Sequence, residues 1–128
     1  MNPLQTVDSI FQAFNRGDIP YIVGVVGPGA YWRQETTVPW GGIYNGPEGV
    51  AAFFTKLDAA AETVALDVRE NIQCGDEVFS FGSYILKGRA SGKVSAPAEW
   101  MFRWKVSDGK VVFWQSYFDS AALVAALC

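Results

Sequence analysis

The stretch DGKVVFWQSYFDSAAL, residues 108–123, contains a tight turn, a strand and the start of the last helix. Asp108-Gly109 is a turn signal, and the aromatic and β-branched residues after it are typical of a strand. The type of turn decides which side chains face the inside of the sheet, because a shift of one residue reverses the two faces. With a two-residue turn, the inward side chains are those of Val111, Phe113, Gln115, Tyr117 and Asp119.

The second possible register places a bulge at Gly109, which closes a type I turn. The inward side chains are then those of Val112, Trp114, Ser116 and Phe118. We favour this register because its inner set is less polar and matches the apolar face of the preceding strand. Asp119 then leaves the sheet just before the helical tail SAALVAAL, where its carboxylate can accept backbone N–H bonds. The sequence therefore favours Asp119 as a helix cap, and a catalytic acid at the mouth of a pocket is the alternative.

Four strand-like segments precede this stretch, three of them closed by a turn signal. They are AYWRQ (30–34), TVALDVRENIQC (63–74), EVFSFGSYILKGR (77–89) and SAPAEWMFRWKV (95–106). Three helices are also predicted, from apolar residues at steps of three and four or from an Asp or Pro at the start. They lie near residues 3–16, 19–26 and 46–61. Residues 35–45, with Trp40 and Tyr44, are predicted to form a loop.

The predicted order is therefore ααβαββββα, in a single domain over residues 1–128. Such an order predicts an α+β fold in which helices cover one face of a strongly curved antiparallel sheet.

Composition excludes several classes of protein. The net charge of −3 and the lack of a basic run give no surface for nucleic acid. The longest apolar run is too short to span a membrane, and the first residues do not read as a secretory signal. With two cysteines and no histidine, no metal-ligand spacing is present. We therefore expect a cytoplasmic protein that uses no metal and no cofactor.

One carboxylate is predicted to lie on an otherwise apolar face. A two-residue turn at Gly75-Asp76 pairs Glu70 with Phe81, and a similar turn at Ser91-Gly92 pairs Phe81 with Phe102. Glu70 then faces inward, where loss of water would favour its neutral form and suit it to general acid or base catalysis. The alternative is a structural carboxylate that is paired with a cation or solvated at the rim.

The inward aromatic residues can line a cavity for a flat, mostly apolar ligand. The alternative for each of them is ordinary core packing. The candidate ligand-binding residues are Trp32, Gln34, Trp40, Tyr44, Phe54, Ser83, Trp100 and Ser116.

The outer face of the sheet also carries apolar side chains, which a soluble protein seldom leaves exposed to water. We therefore expect a homodimer that forms through this face, with Arg103 and Lys105 near its rim. The predicted patch consists of Tyr84, Leu86, Met101, Val111, Phe113 and Tyr117.

The element order and three motifs resemble the nuclear-transport-factor-two-like superfamily, and in particular its SnoaL-like, ketosteroid-isomerase-related branch. The motifs are FNRGD (14–18), PWGGIYNGPEGVAAFF (39–54) and the stretch 108–123. The resemblance covers nearly the whole chain. It implies a cone-shaped α+β barrel that holds a hydrophobic ligand at its open end and dimerises through the sheet. Such relatives include steroid isomerases, polyketide cyclases, dehydratases, epoxide hydrolases and noncatalytic binding modules.

The catalytic residues of the steroid isomerases are not matched. Their tyrosine, base aspartate and protonated aspartate fall at Ile10, near Gln34 and at Trp100, so that route is not expected. The resemblance implies a protein that binds a small hydrophobic, carbonyl-type molecule, or an enzyme without a cofactor. The alternatives are an isomerase, cyclase or dehydratase that uses Glu70, and a noncatalytic dimeric module.

Overall fold

The computed structural model describes residues 1–128 and contains four helices and six strands. The predicted order is confirmed, with one addition: a short strand, β2, lies in the segment that was predicted to be a loop. The elements are α1 (Pro3–Asn15), α2 (Ile19–Gly24), β1 (Val26–Gln34), β2 (Gly42–Asn45), α3 (Gly46–Ala60), β3 (Ala61–Cys74), β4 (Glu77–Gly88), β5 (Ala98–Ser107), β6 (Lys110–Phe118) and α4 (Ser120–Leu127).

The six strands form one curved sheet in the order β2-β1-β6-β5-β4-β3. Strands β1 and β6 are parallel, whereas every other neighbouring pair is antiparallel. The sheet is therefore mixed rather than wholly antiparallel, and it does not close into a barrel. A parallel pair needs a long connection, and here α3 and the strands β2 to β5 lie between its two members.

Gly82 of β4 lies where a side chain would clash with its neighbours in the sheet. A Cβ atom at Gly82 of β4 would overlap the carbonyl oxygen of Asp67 in β3 and lie 2.6 Å from Cζ2 of Trp100. Strand β3 carries an irregularity between Val68 and Glu70, directly beside this contact. Bulges and glycines are the features that bend sheets, so this pair of features helps to curve the sheet around the core.

The last hairpin combines features of both predicted registers. Asp108 and Gly109 have φ values of 52° and 73° and form a two-residue turn between Ser107 and Lys110. An irregularity next to Lys105 then shifts the pairing. Beyond it Trp114 and Ser116 are buried on the inner face, as the favoured register predicted. The bulge at Gly109 was wrong, because the extra residue lies farther along the strand.

The predicted turn at Ser91-Gly92 was wrong, and this error reversed the faces of β4. Residues 89–97 form a longer connection, so Phe81 pairs with Met101 and Ser80 pairs with Phe102. The inner face of β4 carries Val78, Ser80, Gly82, Tyr84 and Leu86 instead of their odd-numbered neighbours. A slip of one residue moves every side chain to the opposite face.

The core lies between the inner face of the sheet and the helices α1 and α3. Val7, Ile10 and Phe11 of α1 are buried there, together with Val50 and Phe53 of α3. These positions follow the apolar spacing that predicted both helices. No helix is both long enough and apolar enough to cross a membrane.

Candidate functional site

A cavity of about 80 Å³ lies between the inner face of the sheet and the helices α1 and α3. Fifteen of its 17 lining residues are hydrophobic, and none carries a carboxylate, an amine, a guanidinium or a thiol. The aromatic residues among them are Phe11, Phe14, Trp32, Trp40, Phe53, Phe54, Tyr84, Phe102, Trp104 and Trp114. This lining suits an uncharged, mostly apolar molecule.

Two tryptophans form the wall of the cavity at the parallel strand pair. Trp32 of β1 is paired with Trp114 of β6, and their rings stack with centroids 4.3 Å apart. Phe53 of α3 meets the ring of Trp32 at 5.6 Å in an edge-on arrangement. Such offset-stacked and edge-on contacts are the favoured geometries of aromatic pairs, so these rings are held in fixed positions.

Three hydrogen-bond donors on lining residues have no acceptor in the protein. They are Nε1 of Trp32, Nε1 of Trp114 and Nε2 of Gln34, and each of these residues is at most 3% exposed. Trp104 differs, because its Nε1 donates to Oγ of Ser80 at 3.0 Å. Most buried polar groups in folded proteins have a partner. Nε1 of Trp100 and Oγ of Ser116, outside the lining, also have no partner. The three donors of the lining are thus candidates for an acceptor atom on a ligand.

The loop that contains Trp40 is held in place by hydrogen bonds from Tyr44. The Tyr44 hydroxyl lies 3.0 Å from the carbonyl oxygen of Trp40 and 3.2 Å from that of Gly41. Gly41 is itself packed closely, since a Cβ atom there would lie 2.6 Å from Cα of Thr36. Tyr44 therefore holds the backbone of Trp40, which lines the cavity, but Tyr44 itself does not line it.

The carboxylate of Glu35 helps to order the same loop. It accepts hydrogen bonds from the hydroxyl and the backbone N–H of Thr37, the latter at 3.2 Å. The side-chain hydrogen bond is the main reason why the pKa of Glu35 is lowered, with further help from the backbone N–H groups and Arg33.

Tyr84 is the single residue with a titratable side chain in the cavity lining, and burial raises its pKa. The phenol is therefore protonated at neutral pH and can donate a hydrogen bond. Tyr84 was predicted to lie on the outer face, because the predicted turn at Ser91-Gly92 put β4 in the wrong register.

The raised pKa of Tyr84 predicts a loss of stability in strong alkali. In the unfolded chain the phenol loses its proton near pH 10, whereas in the folded protein it keeps the proton to higher pH. The free energy of unfolding should therefore fall above pH 10, by at most about 1.4 kcal/mol per pH unit from this group. Urea unfolding at pH 9 and pH 11 should show a smaller loss for Tyr84→Phe than for the wild type. Equal losses in both proteins would contradict the assignment to Tyr84.

Four of the eight predicted ligand-binding residues line the cavity, namely Trp32, Gln34, Trp40 and Phe54. Trp100 and Ser116 are buried but lie outside the lining, and Trp100 instead stacks on Phe102 at 4.1 Å. Tyr44 lies behind the wall. Ser83 lies on the outer face of β4, so its predicted inward placement was wrong. The cause is the pairing of β4 with β5, which differs by one residue from the predicted pairing.

The two predicted catalytic carboxylates lie away from the cavity. Glu70 pairs with Phe81 as predicted, but both residues are exposed on the outer face, so the predicted burial of Glu70 was wrong. Asp119 is exposed and caps α4, with its Oδ1 accepting from the backbone N–H of Ala121 at 3.2 Å. The capping interpretation of Asp119 is confirmed. No group of three or more His, Cys, Asp or Glu side chains is placed to hold a metal ion.

The SnoaL-like domain family matches residues 7–114 of this sequence. No curated protein matches it. Among solved structures, an NTF2-like protein from Burkholderia thailandensis superposes with a TM-score of 0.92 at 22% identity, over 100% of this chain and 98% of the other. An NTF2-like protein of unknown function from Burkholderia pseudomallei gives 0.89 at 24% identity, over 99% and 98%.

A third similar structure is that of TerC, co-crystallised with polyporic acid. Its TM-score is 0.86 at 23% identity, and the match covers 98% of this chain and 97% of TerC. At these identities the three structures establish a shared fold. The family match covers most of the sequence, and the chain belongs to the SnoaL-like domain family.

Proposed function

We propose that this protein binds a small, mostly apolar molecule that carries a hydrogen-bond acceptor, such as a carbonyl oxygen. The observation that carries this proposal is the set of unpartnered donors on Trp32, Gln34 and Trp114 in an apolar cavity. A buried donor without an acceptor costs about 1–3 kcal/mol, and a ligand oxygen would recover part of that cost. A hydrocarbon of the same shape would recover none of it.

The chemistry of the cavity favours binding over proton transfer. General acid or base catalysis works best with a group whose pKa lies near the working pH. The lining offers Tyr84 alone, whose pKa burial raises further from neutrality. Glu70, the acid–base candidate from the sequence, is exposed on the opposite face of the sheet. A noncatalytic binding protein is therefore the better-supported reading.

The co-crystals of TerC with polyporic acid support the choice of an organic ligand. TerC shares the fold of this protein and was co-crystallised with this small organic molecule. Polyporic acid therefore belongs in the first set of compounds to be screened by thermal shift.

The proposal is tested by comparing acetophenone with ethylbenzene, which differ at the carbonyl group and have similar shapes. Binding is followed by tryptophan fluorescence and by calorimetry. A site that presents free donors should bind the ketone at least about tenfold more tightly than the hydrocarbon. Equal affinities would contradict the recognition of an acceptor. If neither compound bound, and no other apolar carbonyl compound did, the cavity would not be a ligand site.

We also propose that the protein forms a homodimer through the outer face of the sheet. Several apolar side chains lie on this face, with Ile72 46%, Phe81 37% and Tyr117 45% exposed. They belong to neighbouring strands, since Ile72 pairs with Phe79, Phe81 with Met101, and Met101 with Tyr117. A group of exposed apolar side chains of this kind marks an interaction surface, and the charged Glu70 and Arg103 lie among them on the same face. We call these apolar residues, with Phe113, the outer-face patch.

The outer-face patch differs from the apolar patch that the sequence predicted. Tyr84, Leu86 and Val111 were predicted to be part of it, but they lie on the inner face of the sheet. Arg103 was expected at the rim of the interface, but it pairs with Phe79 across the strands and its guanidinium lies over the ring of Phe113. It also forms an ion pair with Glu77 at 2.6 Å.

Light scattering during gel filtration should give twice the chain mass of 14.0 kDa for the wild type. Phe81→Glu should give a monomer, because two copies of the new carboxylate would be buried at the interface without a partner. Val94→Glu is a matched control, since Val94 is 58% exposed in a connection outside the patch. A wild-type monomer at high micromolar concentration would overturn the proposal.

A further inference from the structure

A surface groove adjoins the cavity at the carboxyl ends of α1 and α3. It encloses about 480 Å³ and is bounded on its other side by the first half of β3. Its floor includes the apolar residues Ile19, Ala61 and Val64, and charged side chains lie at its edge. Five residues line both the groove and the cavity: Phe14, Phe54, Leu57, Thr63 and Leu66.

These five shared residues separate the cavity from the groove, and we call them the partition. Phe14 of α1 and Phe54 of α3 meet across it, with ring centroids 6.2 Å apart and planes tilted by 38°. Both are only partly buried, unlike Phe53, which is 4% exposed. Side-chain rotations of partly exposed residues are fast, so the partition can open without a change in the fold.

The sizes of the two spaces indicate that neither is a complete ligand site alone. An engineered apolar cavity of about 150 Å³ binds benzene, and the cavity here has about half that volume. Ligand pockets usually have volumes of about 300–1,000 Å³. The volume of the groove lies in this range, but the groove is open to solvent. A ring that enters the cavity must therefore displace the partition.

We infer that the cavity and the groove form one elongated site, and that Phe14 and Phe54 act as a gate between its two parts. The ligand class is a carbonyl compound with an alkyl chain. Its oxygen-bearing end lies at the free donors of Trp32, Gln34 and Trp114, and its chain passes the gate onto the floor of the groove. This inference rests on the proposed function, because it assumes that the cavity binds the carbonyl end.

The edge of the groove fits the outer end of such a ligand. Arg89 donates to the Asp58 carboxylate at 2.8 Å, so this pair carries no net charge. Glu62 is exposed beside it. An uncharged alkyl chain or a hydroxylated end can lie there without burying an unpaired charge.

The test uses acetophenone, para-butylacetophenone and para-octylacetophenone, with binding measured by tryptophan fluorescence. Each methylene that becomes buried in the groove should tighten binding by about fourfold, up to the length of the groove. Val64→Trp enlarges a side chain that lines the groove and is 54% exposed. It should weaken binding of the butyl compound at least about tenfold and leave acetophenone within about twofold.

Two further variants complete the design. Ile43→Trp adds the same ring at an exposed position of β2, the opposite edge of the sheet, and should change neither affinity. Phe54→Leu should speed the association of the butyl compound in stopped-flow measurements, because the smaller side chain weakens the gate.

The outcomes separate the inference from the proposed function. If acetophenone binds but the butyl and octyl compounds bind no more tightly, the elongated site is wrong and the proposed function stands. An equal loss of both affinities in Val64→Trp would also overturn the inference. If no compound of the series binds the wild type, the proposed function itself fails.

Discussion

Gly82→Ala is expected to destabilise the protein by about 3 kcal/mol, the upper range for overpacking a core, and to lower its melting temperature by about 10 °C. The new Cβ atom would overlap the carbonyl oxygen of Asp67 and press against the indole of Trp100. Neither neighbour can yield easily, because one is backbone in the adjacent strand and the other is 3% exposed in the core. Strand β3 would have to move away from β4.

The matched control is Gly29→Ala in β1. A Cβ atom there meets no other atom within 4 Å, and Gly29 is exposed. Its effect on the free energy of unfolding should stay within about 0.5 kcal/mol. Urea unfolding followed by circular dichroism measures both variants. Similar stabilities for the two variants would show that β3 does not depend on the missing side chain at residue 82.

Gln34→Leu is expected to reduce ketone affinity and to leave the fold at least as stable as the wild type. The amide Nε2 of Gln34 is buried without a partner, so a leucine of similar size removes an unsatisfied donor. The free energy of unfolding should rise by about 1 kcal/mol, whereas acetophenone affinity should fall by about tenfold. Opposite changes in stability and binding are typical of a residue retained for function.

The control for this variant is Gln73→Leu, an exposed glutamine of β3 whose amide donates to the carbonyl of Gly75 at 3.0 Å. It should leave ketone affinity unchanged. Thermal unfolding and calorimetric titration of both variants provide the data. A Gln34→Leu protein that is less stable and binds the ketone as tightly as before would remove Gln34 from the site.

The element order and several local features of the fold could be predicted from the sequence. The cap at Asp119 and the inward positions of Trp114 and Ser116 follow from short-range patterns. Strand β2 was missed because its segment, PWGGIYN, contains two glycines and a proline, which are typical of loops. Its pairing with β1 is a tertiary contact that local propensity does not encode.

The main error in the site arose from one turn. Ser91-Gly92 is a valid turn signal, but it lies within a connection that runs from residue 89 to 97. The length of a connection fixes the register of a hairpin, and local sequence did not reveal that length. Tyr84 was therefore assigned to the outer face and Ser83 to the inner face. Trp32, Gln34 and Trp40 precede this turn, and their predicted positions were not affected by it.

The parallel pairing of β1 with β6 has a consequence for how the protein acquires its binding site. The stack of Trp32 on Trp114 joins the first strand to the last, so nearly all of the chain must be available before it can form. Contacts between such distant segments carry a large loop-closure entropy and slow the folding of a domain. We therefore expect the hairpins of β3 to β6 to assemble first. The binding site should then form only in the final step, when the amino-terminal third of the chain packs against the strands β3 to β6.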